Sequence, residues 1–261
     1  MVGLEDTTFS LNYGSMTAYE QAVRTELNRW QQAMQKPPSA FGRFSTSLQH
    51  RINRIIPNRI HSIVTAAIKQ MTRAVLFGAE FLTRAPVEGR TLVQRDAAVA
   101  KRIEFYKKTS AAEGGVTGAG GFLLGLADFP ILLALKMKML FEIASLYGFQ
   151  VNDYRERVYI LYIFQLAFSS QERRQIVYQH LMNWPEHSRQ LPEDINQFDW
   201  LSFQQEYRDY IDLAKMAQLI PGIGAAVGIV VNYRLVNQLG RTAMNAYRMR
   251  LLAQNPALLT E

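Results

Sequence analysis

Two carboxylates stranded in apolar sequence are the residues best placed to do chemistry. Glu113 opens, and Asp128 centres, the stretch AAEGGVTGAGGFLLGLADFPILLALKMKMLFEIASLYG at positions 111–148. A carboxylate taken out of water needs a proton, a cation or hydrogen-bond donors. Lys136, and Asn232 in a second apolar stretch, could supply them, so Glu113, Asp128, Lys136 and Asn232 form a candidate polar site. Three roles are open to Asp128. It could cap a helix opened by Pro130. It could line a polar junction between the two apolar stretches. With Glu113 it could hold Mg²⁺ or activate a water, as in a carboxylate-based hydrolase.

Little else in the chain supports catalysis. The four histidines are His50, His61, His180 and His187. His180 and His187 flank Trp184-Pro185 at a spacing unlike the H-E-x-x-H zinc motif, and they read as surface residues. Gly114–Gly121 lacks the G-K-[ST] of a phosphate loop, and there is no G-x-S-x-G elbow. Cysteine is absent, which excludes disulfides, thiolate metal sites and cysteine nucleophiles and fits a reducing compartment. The expectation is a protein with no catalytic residue, no metal and no cofactor.

The elements that position these residues are helical. Thr17 and Glu20 have capping-box spacing, and Ala22, Val23, Leu27, Trp30 and Met34 then recur every three or four residues up to Pro37-Pro38. Ile56-Pro57-Asn58 opens a second helix with an apolar stripe through Ile63, Val64, Ala67, Ile68, Met71 and Val75. Arg59, Lys69 and Arg73 fall largely on its other side, the pattern of a basic amphipathic helix at a lipid interface or of an ordinary surface helix. A third helix, Arg90 to Thr109, runs into the glycine-rich stretch. There Gly114, Gly118, Gly121 and Gly125 repeat the G-x-x-x-G spacing, and Gly224 and Gly228 echo it in residues 220–232. Small residues so spaced let helix backbones approach closely. Each glycine costs an exposed helix about 1 kcal/mol, so close packing or a membrane must offset them.

Farther on, Asp153 and Glu156 give a cap-like start to VYILYIFQLAF, which is apolar nearly all round and so buried. A polar-faced helix at 171–182, an irregular polar connection at 184–198, an amphipathic segment at 199–219 and a last helix to about Ala253 follow. No segment alternates like a strand. The fold class is all-α: a single multi-helix domain at 17–254, built around two packed glycine-rich apolar helices, after a flexible tail at 1–16.

Neither glycine-rich stretch reads as a spanning helix. The 14 uncharged residues 114–127 fall short of the roughly 20 that are needed, and extension to Leu135 places Asp128 near the centre. A buried core or a shallow insertion both fit.

Charge is unevenly distributed. The net charge is +7, and residues 36–108 hold 14 Lys and Arg against Glu80, Glu88, Asp96 and Glu104. A basic front half joined to an apolar back half suits an anionic lipid surface. Its aromatics are not interleaved as a stacking platform, so nucleic acid is not expected. The N-terminal MVGLEDTTFSLNYG is acidic and lacks an apolar core, so cleaved export is not expected.

Glu113-Gly114-Gly115, Thr117-Gly118, Gly120-Gly121-Phe122, Ala127-Asp128-Phe129-Pro130 and Tyr147-Gly148 together resemble the signature of the bacterial EcsC family. Its second half resembles Ile220-Pro221, Gly224-Ala225-Ala226-Val227-Gly228, Asn232-Tyr233 and Thr242-Ala243. The resemblance implies a helical protein of poorly defined biochemistry whose family is named after a transporter operon. It carries over no catalytic residues.

The combined expectation is a non-enzymatic, membrane-associated protein that binds lipid or an anionic membrane surface through Arg59, Lys69 and Arg73. It would be cytoplasmic, at the inner face of the cell membrane. The alternative is a helical adaptor for another protein, such as a transporter component, and the last reading is the carboxylate hydrolase.

Overall fold

A computed structural model of the chain describes residues 18–36, 58–77, 85–118, 122–169, 173–199, 201, 203 and 225–254, with side chains at 58–61, 111–128 and 225–231 excepted. Eight α-helices fall among them: α1 (Ala18–Gln35), α2 (Asn58–Phe77), α3 (Leu92–Gly118), α4 (Phe122–Leu146), α5 (Tyr154–Phe168), α6 (Arg174–Met182), α7 (Trp184–Gln190) and α8 (Ala225–Gln254). No β-strand occurs among the described residues, so the fold is all-α. The tail at 1–16 and most of the segment at 199–219 lie outside the described residues.

Helix α5 is the most enclosed element. Thirteen of its residues are buried, as expected of a helix that is apolar all round. Asp153 caps it by accepting the Arg155 backbone N–H at 2.9 Å. α8, α4 and α2 pack around α5, and α3 lies against α8 and α4, which also touch each other. α6 packs on α5, and α1 reaches the bundle through α6 and α8.

α8 and α3 form the most extensive helix pair, and they run antiparallel. Lys107 lies over the ring of Tyr233, Ile103 faces Gly240, and Asp96 meets Arg248, so the two sets of numbers step in opposite directions. Close approach is visible at Gly240, where a β-carbon would stand 2.6 Å from Ile103 Cγ1. Of the glycines expected to pack helices, Gly114 and Gly118 lie in α3, Gly125 in α4 and Gly228 in α8. Gly121 and Gly224 lie outside the described residues.

The stretch 111–148 is shared between α3 and α4. Two expectations need correction. Pro130 lies inside α4 and does not open it, so Asp128 cannot be its N-cap. A proline inside a helix removes one backbone hydrogen bond, and the buried side chains of Phe129, Leu132 and Leu133 on the same turns offset that loss. The connection at 184–198 is not irregular throughout, since α7 and a 3₁₀ turn at Ile195–Gln197 occupy it. Its Pro185 sits in the first turn, where no N–H is lost.

The stripe read along α2 is a core face. Val64, Ile68, Val75 and Leu76 are almost fully buried, while Lys69 and Arg73 are exposed. Among the described side chains of α2, this apolar stripe is spent in the core, and Phe77, at the end of the helix, is the large apolar side chain left exposed. No helix among the described residues is long and apolar enough to cross a membrane.

The Gly240 contact gives a direct test. Gly240→Val should lower the unfolding free energy by about 2 kcal/mol, read from urea denaturation, because the buried Ile103 must shift to admit the new side chain. Combined with Ile103→Ala, the loss should be clearly less than the sum of the two single losses.

Candidate functional site: buried ion pairs and a cationic outer face

Helix α3 carries a carboxylate on its inward face. Asp96 follows Leu92 by four residues and precedes Val99 by three, so it lies on the apolar stripe and is 2% exposed. Its Oδ1 accepts the Tyr147 hydroxyl at 2.6 Å. Its Oδ2 accepts the Tyr19 hydroxyl at 2.7 Å and meets Arg248 Nη2 at 2.9 Å. Arg248 Nη1 extends the chain of contacts to Glu26 Oε2 at 2.9 Å. Four helices or their ends thus meet at one charge: α1, α3, α8 and the residue following α4.

A second buried carboxylate sits one layer away. Glu156, on the first turn of α5, accepts the Tyr247 hydroxyl at 2.7 Å and Arg250 Nη1 at 2.6 Å. The Arg250 guanidinium lies over the rings of Phe149 at 4.1 Å and Tyr159 at 4.6 Å. Tyr147 stacks on Tyr247 with ring centroids 5.6 Å apart, which joins the two clusters.

These surroundings move the titrations in definite directions. Burial, then the hydrogen bond to Asp96, push the Tyr19 hydroxyl up to about 12. Burial likewise holds Tyr147 and Tyr247 well above the usual phenol value. Burial opposes the charge of Arg248, but the hydrogen bond and charge of Asp96 outweigh it and raise its pKa. Glu156 is raised, because its burial outweighs the charge of Arg250 and the bond from Tyr247. The donors commit both carboxylates to holding helices together.

The four residues of the expected polar site are only partly in view. Glu113 lies in α3 and Asp128 in α4, but their side chains are outside the described residues. Lys136 is 1% exposed on α4 and donates to the Leu132 carbonyl at 3.3 Å. Asn232 is buried on α8. The histidines read as surface residues are instead half-buried: His180 and His187 stack at 4.9 Å, and His187 Nε2 lies 3.1 Å from the Tyr162 hydroxyl. No group of three metal-ligating side chains occurs among the described residues.

Sequence reasoning missed Asp96, Arg248 and Glu156 as a set. The available signal was a charge at an apolar register position, at Leu92-x₃-Asp96-x₂-Val99.

The exposed charged side chains of four helices are mainly cationic. Lys69 and Arg73 on α2, Lys101 and Lys108 on α3, Lys138 on α4, and Arg234 and Arg241 on α8 are all exposed. The described carboxylates of these helices that reach solvent are Glu104, bound by Lys107 at 2.7 Å, and Glu142, bound by Arg102 at 2.6 Å. The side chain of Arg59 lies outside the described residues.

Two outcomes follow from the buried pairs. Arg248→Met should cost about 3–5 kcal/mol in chemical denaturation, because it strands the Asp96 charge, and Asp96→Leu in the same chain should recover much of that. The raised Glu156 pKa means that the folded chain keeps this proton to a higher pH than the unfolded chain does. Its contribution favours folding below the ordinary value of 4.5 and is lost as pH rises through the raised value. Measured at several pH values, the stability of the wild type relative to Glu156→Gln should therefore fall across that window.

Comparison with known proteins agrees with the architecture. The model of the EcsC protein family matches residues 21–252. Protein EcsC of Bacillus subtilis (strain 168) is 42% identical over 235 residues, covering 90% of this chain and 97% of the relative. Uncharacterized protein YdbA of the same organism is 29% identical over 150 residues, covering 56% of this chain and 55% of its own. No solved structure matches. With nearly its whole helical bundle inside the match, the chain belongs to the EcsC family of bacterial proteins.

Proposed function

We propose that this protein is a non-enzymatic, peripheral membrane-surface protein. Its cationic outer face rests on anionic lipid headgroups at the inner face of the cell membrane. The observation that carries this reading is the charge pattern of α2, α3, α4 and α8. Each presents exposed Lys or Arg, while the described carboxylates among them, Asp96, Glu104 and Glu142, are buried or tied up in local ion pairs. Phosphate groups are the complementary partner, at roughly 1 kcal/mol per basic side chain near an anionic leaflet.

The same packing sets the mode of attachment. The apolar face of α2 is spent in the core, so Lys69 and Arg73 act on headgroups and not as the rim of an inserted helix. Attachment of this kind is reversible and weakens as salt shortens the Debye length.

Flotation of the purified protein with phosphatidylcholine vesicles, with and without phosphatidylglycerol, tests the reading. Binding should need the anionic lipid and should weaken strongly at high salt. Lys69→Glu combined with Arg73→Glu should weaken it by at least about tenfold, from two basic contacts at roughly 1 kcal/mol each. Absence of vesicle binding at low salt would end the membrane reading and favour an adaptor that binds another protein.

A further inference from the structure

We infer that Phe105 is an apolar anchor that enters the headgroup layer of an anionic bilayer. The inference rests on the membrane reading above and identifies the part of the face that docks. Phe105 is 51% exposed in the middle of α3. A lone exposed aromatic needs no explanation, but its neighbours set this one apart. Lys101 and Lys108 lie four residues before and three after it, on the same exposed stripe. Lys108 reaches back over the turn of Phe105, where its Nζ lies 4.0 Å from Glu104 Oε1.

A further cation stands at the level of this ring on a neighbouring helix. The Arg102–Glu142 and Asp96–Tyr147 contacts set an antiparallel register between α3 and α4. That register brings the turn of exposed Lys138 alongside the turn of Phe105 and Lys108. On the other flank, Lys107 lies 4.5 Å from the ring of Tyr233, which is itself 38% exposed. α3 packs on the α8–α4 pair while α5 is enclosed by α8, α4 and α2, so the stripe of α3 faces away from the core.

Charge complementarity selects phosphate, and the apolar atoms select lipid over nucleic acid. The Arg102 guanidinium lies 5.2 Å from the Phe105 centroid, so a base would have to compete with it for the ring. The exposed Tyr233 ring is likewise covered by Lys107, and Ile131 of α4, 59% exposed, has no π face on which a base could stack. A ring amid lysines suits the bilayer interface, where apolar atoms sit just below phosphates.

The test uses full-length protein and the same two vesicle types. Phe105→Ala should weaken binding to the phosphatidylglycerol vesicles by about fivefold, the value for losing burial of half a phenylalanine side chain. It should leave the thermal midpoint unchanged, because the residue is exposed. In Phe105→Trp, fluorescence beyond that of the wild type should shift to the blue on adding these vesicles, and lipids brominated near the headgroup should quench it. If the protein floats with anionic vesicles but the Phe105→Trp signal does not move, the anchor is overturned and the electrostatic reading stands. If wild-type protein floats with neither vesicle, both fall. Retention on heparin or RNA without flotation would also overturn both.

Discussion

Asp96 is almost fully removed from water, and its charge is tolerable only because three donors from three other parts of the chain converge on it. Tyr19 comes from α1, Tyr147 from the end of α4 and Arg248 from α8. A buried pair of this kind contributes little net stability compared with apolar side chains of the same volume. What it does is penalise every other arrangement of those helices, since any shift leaves a charge without its partner. The apolar contacts bring the helices together, and the Asp96 cluster fixes their register. The stacked Tyr147 and Tyr247 extend that constraint to Glu156 and Arg250, so α5 is tied to the same frame.

This frame is what keeps the outer face cationic. Among the described residues, Asp96 is drawn inward and Glu104 and Glu142 are locked against neighbouring lysines and arginines, which leaves the basic side chains of α2, α3, α4 and α8 with little opposing charge. A chain of the same composition with Asp96 and Glu156 outside would present a more mixed surface. The interior ionic clusters and the exterior charge pattern are thus two sides of one distribution of residues.

Helix content was legible because it depends on local sequence. The periodicity of α1 and α2, the cap at Asp153 and the all-round apolarity of α5 each act within a few turns. Pro130 misled because a proline favours a helix start locally, while burial of Phe129, Leu132 and Leu133 carries α4 straight through it. The partners of Asp96 were not legible, since Arg248 lies 152 positions away and only packing brings them together. His180 and His187 were misread for the same reason: spacing said nothing of the stacking made when α7 folds back against Tyr162. Close packing was expected between the two glycine-rich stretches from their G-x-x-x-G spacing; the close approach described between α3 and α8 is at Gly240, which stands alone in sequence.

The Arg248–Glu26 bond joins residues 222 positions apart. During synthesis α1 is made early and α8 late, so the Asp96 cluster closes only after nearly the whole chain has left the ribosome. Until then α1 has only α6 to pack on, and Asp96 lacks its guanidinium. Nascent chains of this protein therefore pass through a long interval with a half-docked first helix, the kind of exposed apolar surface that a holdase chaperone covers.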